Sequence, residues 1–375
     1  MAYEDESSVI YGLDAQARAI TSQANDTEKV QFFVGTLSLK ALNHIYVLDY
    51  DEDSNTVGKK VYSFKNGEVW GLKSLHFDQE LLAVIFNSVE DSSNSLKAGV
   101  FRIPNSEFPS IPIAENSGCV ETVSLFDTHK IGKNVRSLEW HPTNGSEAVM
   151  AVDANLIIWS MATSSPTIKT QLNVDSSPDC QINVCRWNPH HQCSQVATAF
   201  QSSIQSWDIR SMKEIWHIED AHRKSVRALD FNPNKQYCLA SGGNDGNIKY
   251  WDTRNVRKPV LVQAAHSHWI WDIAYNCYHD QLMLSSGSDS KVVLSSSLSV
   301  SSEMKNPSDS EGETDQTESK EIRQDDVIQI YEEHEDSVYS IAWSNADPWI
   351  FASVSYDGRV VLGHVPRSIK YEILL

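Results

Sequence analysis

The sequence predicts an all-β fold in which one four-stranded unit is repeated around a ring, and three observations carry that prediction. His222, Ser241 and Asp245 lie 19 and 23 positions apart, and both intervals recur in His266, Ser285 and Asp289 and in His334, Ser353 and Asp357. An aromatic residue follows each His by nine positions, as Phe231, Tyr275 and Trp343. The chain as a whole divides into segments of about 40–45 residues, the period of a repeated supersecondary unit.

The elements follow from the clearest copy. Residues 225–231 read as a first strand ended by Asn232-Pro233, and residues 238–241 as a second. Gly242-Gly243-Asn244-Asp245-Gly246 is a tight turn, residues 247–252 a third strand, and the segment before the next His a fourth. This pattern resembles the WD repeat, whose blades stand around the axis of a β-propeller. The resemblance implies that His222, Ser241, Asp245 and Trp251 form a buried hydrogen-bond chain, in which each polar group needs its partner and so fixes strand register. The two later copies have Ser295 and Gly363 where Trp would stand, so their chains are shorter.

Degenerate copies upstream align on aromatics. Trp140-His141-Pro142 leads to Asp153 and Trp159, and Trp187-Asn188-Pro189 leads to Trp207-Asp208, with Gln201 at the turn. Trp70 opens a further copy ending near Phe101, and residues 30–34 and 44–49 supply strands of another. The expected architecture is therefore one seven-bladed WD-repeat β-propeller spanning 1–375, with blades near 15–50, 67–103, 119–160, 180–209, 222–253, 266–297 and 334–365. Residues 9–13 are expected to close the ring as an outer strand, with 369–375 competing for that role.

Composition restricts function. With 41% hydrophobic residues and eleven Trp the chain can bury a large core, and no run approaches the roughly 18 apolar residues of a membrane span. The acidic start, Met1-Ala2-Tyr3-Glu4-Asp5-Glu6, lacks the order of a secretory signal, so an intracellular protein is expected. A net charge of -19 disfavours nucleic acid or an anionic membrane as the main ligand, though a local basic patch remains compatible with it. The six cysteines read as buried small hydrophobes. Cys180, Cys185 and Cys193 with His190 and His191 match no zinc-knuckle spacing, and no metal or cofactor is expected. No nucleotide-loop, zinc-protease or serine-hydrolase motif occurs, and the repeated His and Asp recur once per blade as architecture, so no enzymatic activity is expected.

Recognition surface remains. Aligning the copies groups one first-strand position, occupied by Arg18, Trp70, Arg136, Asn183, Arg227, Trp271 and Tyr339, which in WD propellers lies near the channel mouth. Two residues earlier stand Gln16, Glu68, Asn134, Gln181, Ser225, Trp269 and Ser337. Aromatics and Arg dominate protein-binding hot spots, so Trp70, Arg136, Arg227, Trp269, Trp271 and Tyr339 are the candidate docking residues, against the alternative that the aromatics pack between blades. Residues 299–326 hold nine Asp or Glu against three Lys or Arg, the composition of an acidic disordered loop within blade six. In it Ser308 and Ser310 precede Glu311 and Glu313 by three positions, as an acidophilic kinase would require. Trp207-Asp208-Ile209-Arg210 and Trp251-Asp252-Thr253-Arg254 resemble the W-D-x-R box of WD substrate receptors of cullin-RING ubiquitin ligases, which makes Asp208, Arg210, Asp252 and Arg254 alternative adaptor-docking residues.

Longer strings carry a closer resemblance. Residues 9–13 (VIYGL), 230–237 (DFNPNKQY), 251–256 (WDTRNV), 266–269 (HSHW), 331–338 (YEEHEDSV) and 355–359 (SYDGR) are similar to the EARP-interacting protein family, and the similarity runs end to end. It implies a cytoplasmic, non-catalytic WD adaptor that associates with the EARP and GARP vesicle-tethering complexes at the trans-Golgi network and endosomes. The implied roles are endosomal recycling, endosome-to-Golgi retrograde transport and dense-core vesicle cargo sorting. The implied partners are subunits of those complexes, with no membrane insertion and a monomeric state outside the complex.

Overall fold

Seven sheets follow one another along the chain, each with four antiparallel strands. Each begins with an inner strand: Ala17–Ser22, Glu68–Leu75, Val135–Trp140, Ile182–Trp187, Val226–Phe231, Ile270–Tyr275 and Val338–Trp343. In the computed structural model, which describes residues 8–39, 42–88, 95–104, 118–163, 165–175, 180–303 and 325–375, each inner strand touches the next and the seventh returns to the first. The protein is a seven-bladed β-propeller.

Burial explains why the middle strands look as they do in sequence. Each lies between two neighbouring blades, so Cys238–Gly243 and Ile350–Ser355 are buried at every position, as uninterrupted small and apolar runs. Outer strands such as Thr167–Asn173 face solvent and are polar on that side. Seven separate hydrophobic clusters result, one between each pair of adjacent blades. Burying a Leu, Ile, Val or Phe in them contributes about 1.5–3 kcal/mol per side chain.

Val9–Gly12 pairs antiparallel with Arg359–His364 and supplies the outer strand of the last blade, while Val9 and Tyr11 pack on the cluster between blades seven and one. The C-terminal competitor is no strand. Arg367–Leu374 is a helix that follows Pro366, with Ile369 and Ile373 one turn apart against the core of blades six and seven. Lys370 lies 5.6 Å from the Trp349 ring.

Three boundaries differ from those read in sequence. Glu121–Leu125 is the outer strand of blade two rather than the start of blade three. Gly118–Cys119 pairs parallel with Tyr62 and Ser63 and makes blade one five-stranded. The 299–326 insertion is anchored at its ends: Val300 is buried in the core of blades five and six, and Ser302 donates from its backbone N and Oγ to Asp280, at 2.8 and 2.7 Å. Ser299 N donates to Asp325 Oδ1 at 3.0 Å. Ser308, Ser310, Glu311 and Glu313 lie outside the described residues.

Candidate protein-docking site

All seven inner strands share one irregularity. The register slips once near the start of each strand, between Ala17 and Ala19, Val69 and Gly71, Val135 and Ser137, Ile182 and Val184, Val226 and Ala228, Ile270 and Asp272, and Val338 and Ser340. The residues skipped are Arg18, Trp70, Arg136, Asn183, Arg227, Trp271 and Tyr339. A bulge frees a residue from cross-strand pairing and re-aims its side chain, and here seven bulges turn seven side chains into one cavity of about 430 Å³ on the axis.

Arg18 is the hub of the mouth. Its guanidinium carbon lies 4.4 Å from the Tyr339 ring, 4.6 Å from Trp70 and 5.5 Å from Trp271. The Arg227 guanidinium carbon also lies over the Trp271 ring, at 5.4 Å. The aromatics also touch each other, Trp271 with Tyr339 at 4.9 Å and with Trp269 at 6.0 Å. Hydrogen bonds hold the cluster's edges: Trp271 Nε1 donates to Ser288 Oγ at 2.6 Å, Trp70 Nε1 to Glu68 Oε2 at 3.3 Å, and Arg136 to Gln181 Oε1 at 2.9 Å. Asn183 turns aside to the Val226 carbonyl.

Exposure separates the candidate residues. Trp269 is 36% exposed and Arg136 is exposed, so both form the rim. Trp70, Arg227, Trp271 and Tyr339 are half-buried, and Trp70 packs partly into the core of blades two and three. Burial pulls the Arg18 guanidinium below its ordinary range, and the positive charges of Arg136 and Arg227 pull the same way.

A second tier of charge lies deeper in the channel. Arg186 pairs closely with Glu139, donates Nε to the Leu229 carbonyl at 2.8 Å and approaches Asp272 at 4.0 Å, while Lys73 meets Glu139 at 2.8 Å. Burial alone would raise the Glu139 carboxyl, but Arg186 and Lys73 outweigh it and hold the group low. Burial raises Asp230 to about 6, with Arg186 only partly offsetting it. None of these groups was legible as a set, because they come from five different blades.

The repeated His–Ser–Asp positions are structural. His222 Nδ1 lies 2.8 Å from Asp245, His222 Nε2 lies 2.8 Å from Ser241 Oγ, and Trp251 Nε1 donates to that oxygen at 2.9 Å. The copy at His266 keeps Asp289 at 2.9 Å and Ser285 at 2.8 Å. At His334 the Ser353 bond remains at 2.8 Å, but Asp357 stands off at 3.6 Å. Blade four carries the same Trp bond with Thr198 in place of Ser, at 3.0 Å from Trp207 Nε1, a match that an alignment on Ser passes over.

The W-D-x-R residues lie at the ends of third strands, on the face opposite the mouth. Arg254 is clamped by Asp252 at 2.7 and 3.0 Å and lies 5.0 Å from the Tyr237 ring, whereas Asp208 accepts from the Arg210 backbone N at 2.9 Å and the Arg210 guanidinium reaches Gln192 at 3.4 Å. Cys185 and Cys193 pack in the core of blades three and four, and His190 bonds the Asn232 carbonyl. Among the described residues, no group of His, Cys, Asp or Glu is placed to hold a metal ion, and no helix is long and apolar enough to cross a membrane.

The family model described as the EIPR1 beta-propeller matches residues 5–295, and the WD domain, G-beta repeat model matches residues 325–362. The chain belongs to the EIPR1 beta-propeller family. It is 43% identical to EARP and GARP complex-interacting protein 1 of Rattus norvegicus, over 99% of this chain and 100% of the relative. The human protein of that name is 42% identical, as is the EARP-interacting protein homolog of Gekko japonicus, with the same coverage. Family membership thus extends over every blade, including those whose repeat signature is degenerate.

Proposed function

We propose that this chain is a non-catalytic adaptor of the EARP and GARP tethering complexes, held peripherally at the trans-Golgi network and endosomes. In this reading it serves endosomal recycling, endosome-to-Golgi retrograde transport and dense-core vesicle cargo sorting. The observation that carries the reading is full-length similarity to relatives named for interaction with those complexes. The mouth supports it as the docking surface, because aromatic and Arg side chains converge there and such residues contribute most binding energy at protein interfaces.

Affinity purification from cells tests the proposal. Tether subunits are expected with the wild-type chain and with the double variant Arg210→Ala, Arg254→Ala, and are expected to be lost with Trp271→Ala, Tyr339→Ala. The reverse pattern, with recovery of a cullin-RING adaptor, would replace this reading by that of a ligase substrate receptor.

A further inference from the structure

We infer that the channel mouth receives an acidic peptide segment of the partner, with one carboxylate seated on Arg18 and flanking apolar side chains on Trp269 and Trp271. The inference rests on the reading of the mouth as the partner-docking surface and names the chemistry of what docks.

Arg18 is satisfied on its faces and open at its edges. Three rings hold the guanidinium by cation–π contact, yet among the described residues none of its N–H groups meets a hydrogen-bond acceptor and no carboxylate lies within ion-pair distance. A guanidinium carries five donors in a planar fork that matches a carboxylate, and its edges are the part that a stacked arrangement leaves available. Arg136 and Arg227 stand close enough to repel it, and they too lack carboxylate partners among the described residues. Three cations thus converge in a chain whose net charge is -19, and an incoming anion would relieve their repulsion.

The tier below limits how far an anion can enter. A strand rises about 3.3 Å per residue, so Glu139 and Asp230, three positions after Arg136 and Arg227, lie roughly 10 Å deeper. The cations of that tier, Arg186 and Lys73, are already engaged by Glu139 and Asp272, so they leave nothing to draw a carboxylate below the level of Arg18. A side chain from a peptide can reach this recessed group, whereas a flat bilayer surface cannot, and the overall negative charge opposes such a surface. The exposed Trp269, in contact with Trp271, offers apolar area beside the arginines for residues flanking the acid.

The test is a peptide array tiling the subunits of both tethering complexes in segments of about 20 residues, probed with the purified full chain. The retained segments should carry Asp or Glu beside apolar or aromatic residues. Their Asp→Asn and Glu→Gln versions, and Arg18→Gln in the propeller, should each weaken binding by about 10-fold or more, the loss expected for a charge-assisted hydrogen bond. Arg136→Gln, at an exposed position whose hydrogen bond is to Gln181, should weaken binding several-fold and reduce its salt dependence. Binding indifferent to the acidic residues and to Arg136→Gln would overturn the inference, as would mouth-dependent binding only of phosphorylated peptides or only of phosphatidylserine vesicles. Capture of tether subunits from cells that ignores Arg18→Gln but is lost with Trp271→Ala, Tyr339→Ala would refute the acidic chemistry and leave the docking reading intact. If the wild-type chain captures no tether subunit, the docking reading fails, and a fluorescein-labelled Leu-Glu-Glu-Leu peptide then decides the acidic chemistry by whether its binding needs Arg18.

Discussion

Replacing Ser241 by Ala should cost more than replacing Ser353 by Ala, although the two serines hold equivalent places in their blades. With Asp245 at His222 Nδ1, that nitrogen carries the proton and Nε2 is an acceptor, a tautomer assigned from the bonding pattern. Ser241 Oγ therefore donates to His222 and accepts from Trp251. Its removal leaves two buried polar atoms without partners. At about 1–3 kcal/mol for each, the expected loss is about 2–6 kcal/mol. Both serines also reach a third-strand carbonyl at 3.4 Å, but Ser353 has no Trp to accept from, because Gly363 stands at that position, so Ser353→Ala orphans the His334 nitrogen alone and should cost about 1–3 kcal/mol. Equilibrium urea unfolding followed by both Trp fluorescence and circular dichroism measures the two values, provided the two probes coincide. Equal losses, or a larger loss for Ser353→Ala, would refute the argument that the chain stabilises by satisfying every buried polar group.

Three further predictions concern the scaffold. Because Asp230 has its folded pKa raised to about 6, above its unfolded value, the unfolded state ionises first and stability should fall as pH rises from about 4 to 6. Asp230→Asn should remove that fall, which unfolding midpoints across the range would register. Gly246 has φ +78°, and a Cβ there would lie 2.4 Å from the His266 carbonyl oxygen, so Gly246→Ala should destabilise by about 2 kcal/mol or more, read from the same urea curves. Deleting residues 1–13 should expose the edge of Arg359–His364 and increase both proteolysis of the last blade and aggregation on gel filtration, since the ring then loses its closing strand.

The propeller was legible because buried polar chains demand fixed spacing. His222, Ser241 and Asp245 can bond only when two strands and a turn have set lengths, and that constraint repeats in two later blades. Aligning the copies also grouped the seven positions that prove to be bulge residues, since the bulge occupies one place in every inner strand. What could not be read is the pairing between blades. Arg18 looks like one polar member of a ring until the closed fold brings Tyr339, from the opposite end of the chain, to 4.4 Å. The channel tier of Lys73, Glu139, Arg186 and Asp272 is hidden for the same reason. Residues 369–375 have apolar positions that suit a strand or a helix, and packing of Ile369 and Ile373 against one core decides for the helix. Residues 121–125 have the alternation of a strand, but alternation does not say which blade a strand joins.

Cross-linking of the purified propeller in complex with tether subunits tests most directly whether the mouth is the docking surface. Lys133 and Lys224 precede inner strands and so flank the mouth, while Lys213 and Lys258 follow third strands on the opposite face, and all four are exposed. Docking at the mouth predicts cross-links to the tether from Lys133 and Lys224 that disappear with Trp271→Ala, Tyr339→Ala. Cross-links confined to Lys213 and Lys258, unchanged by that variant, would contradict it.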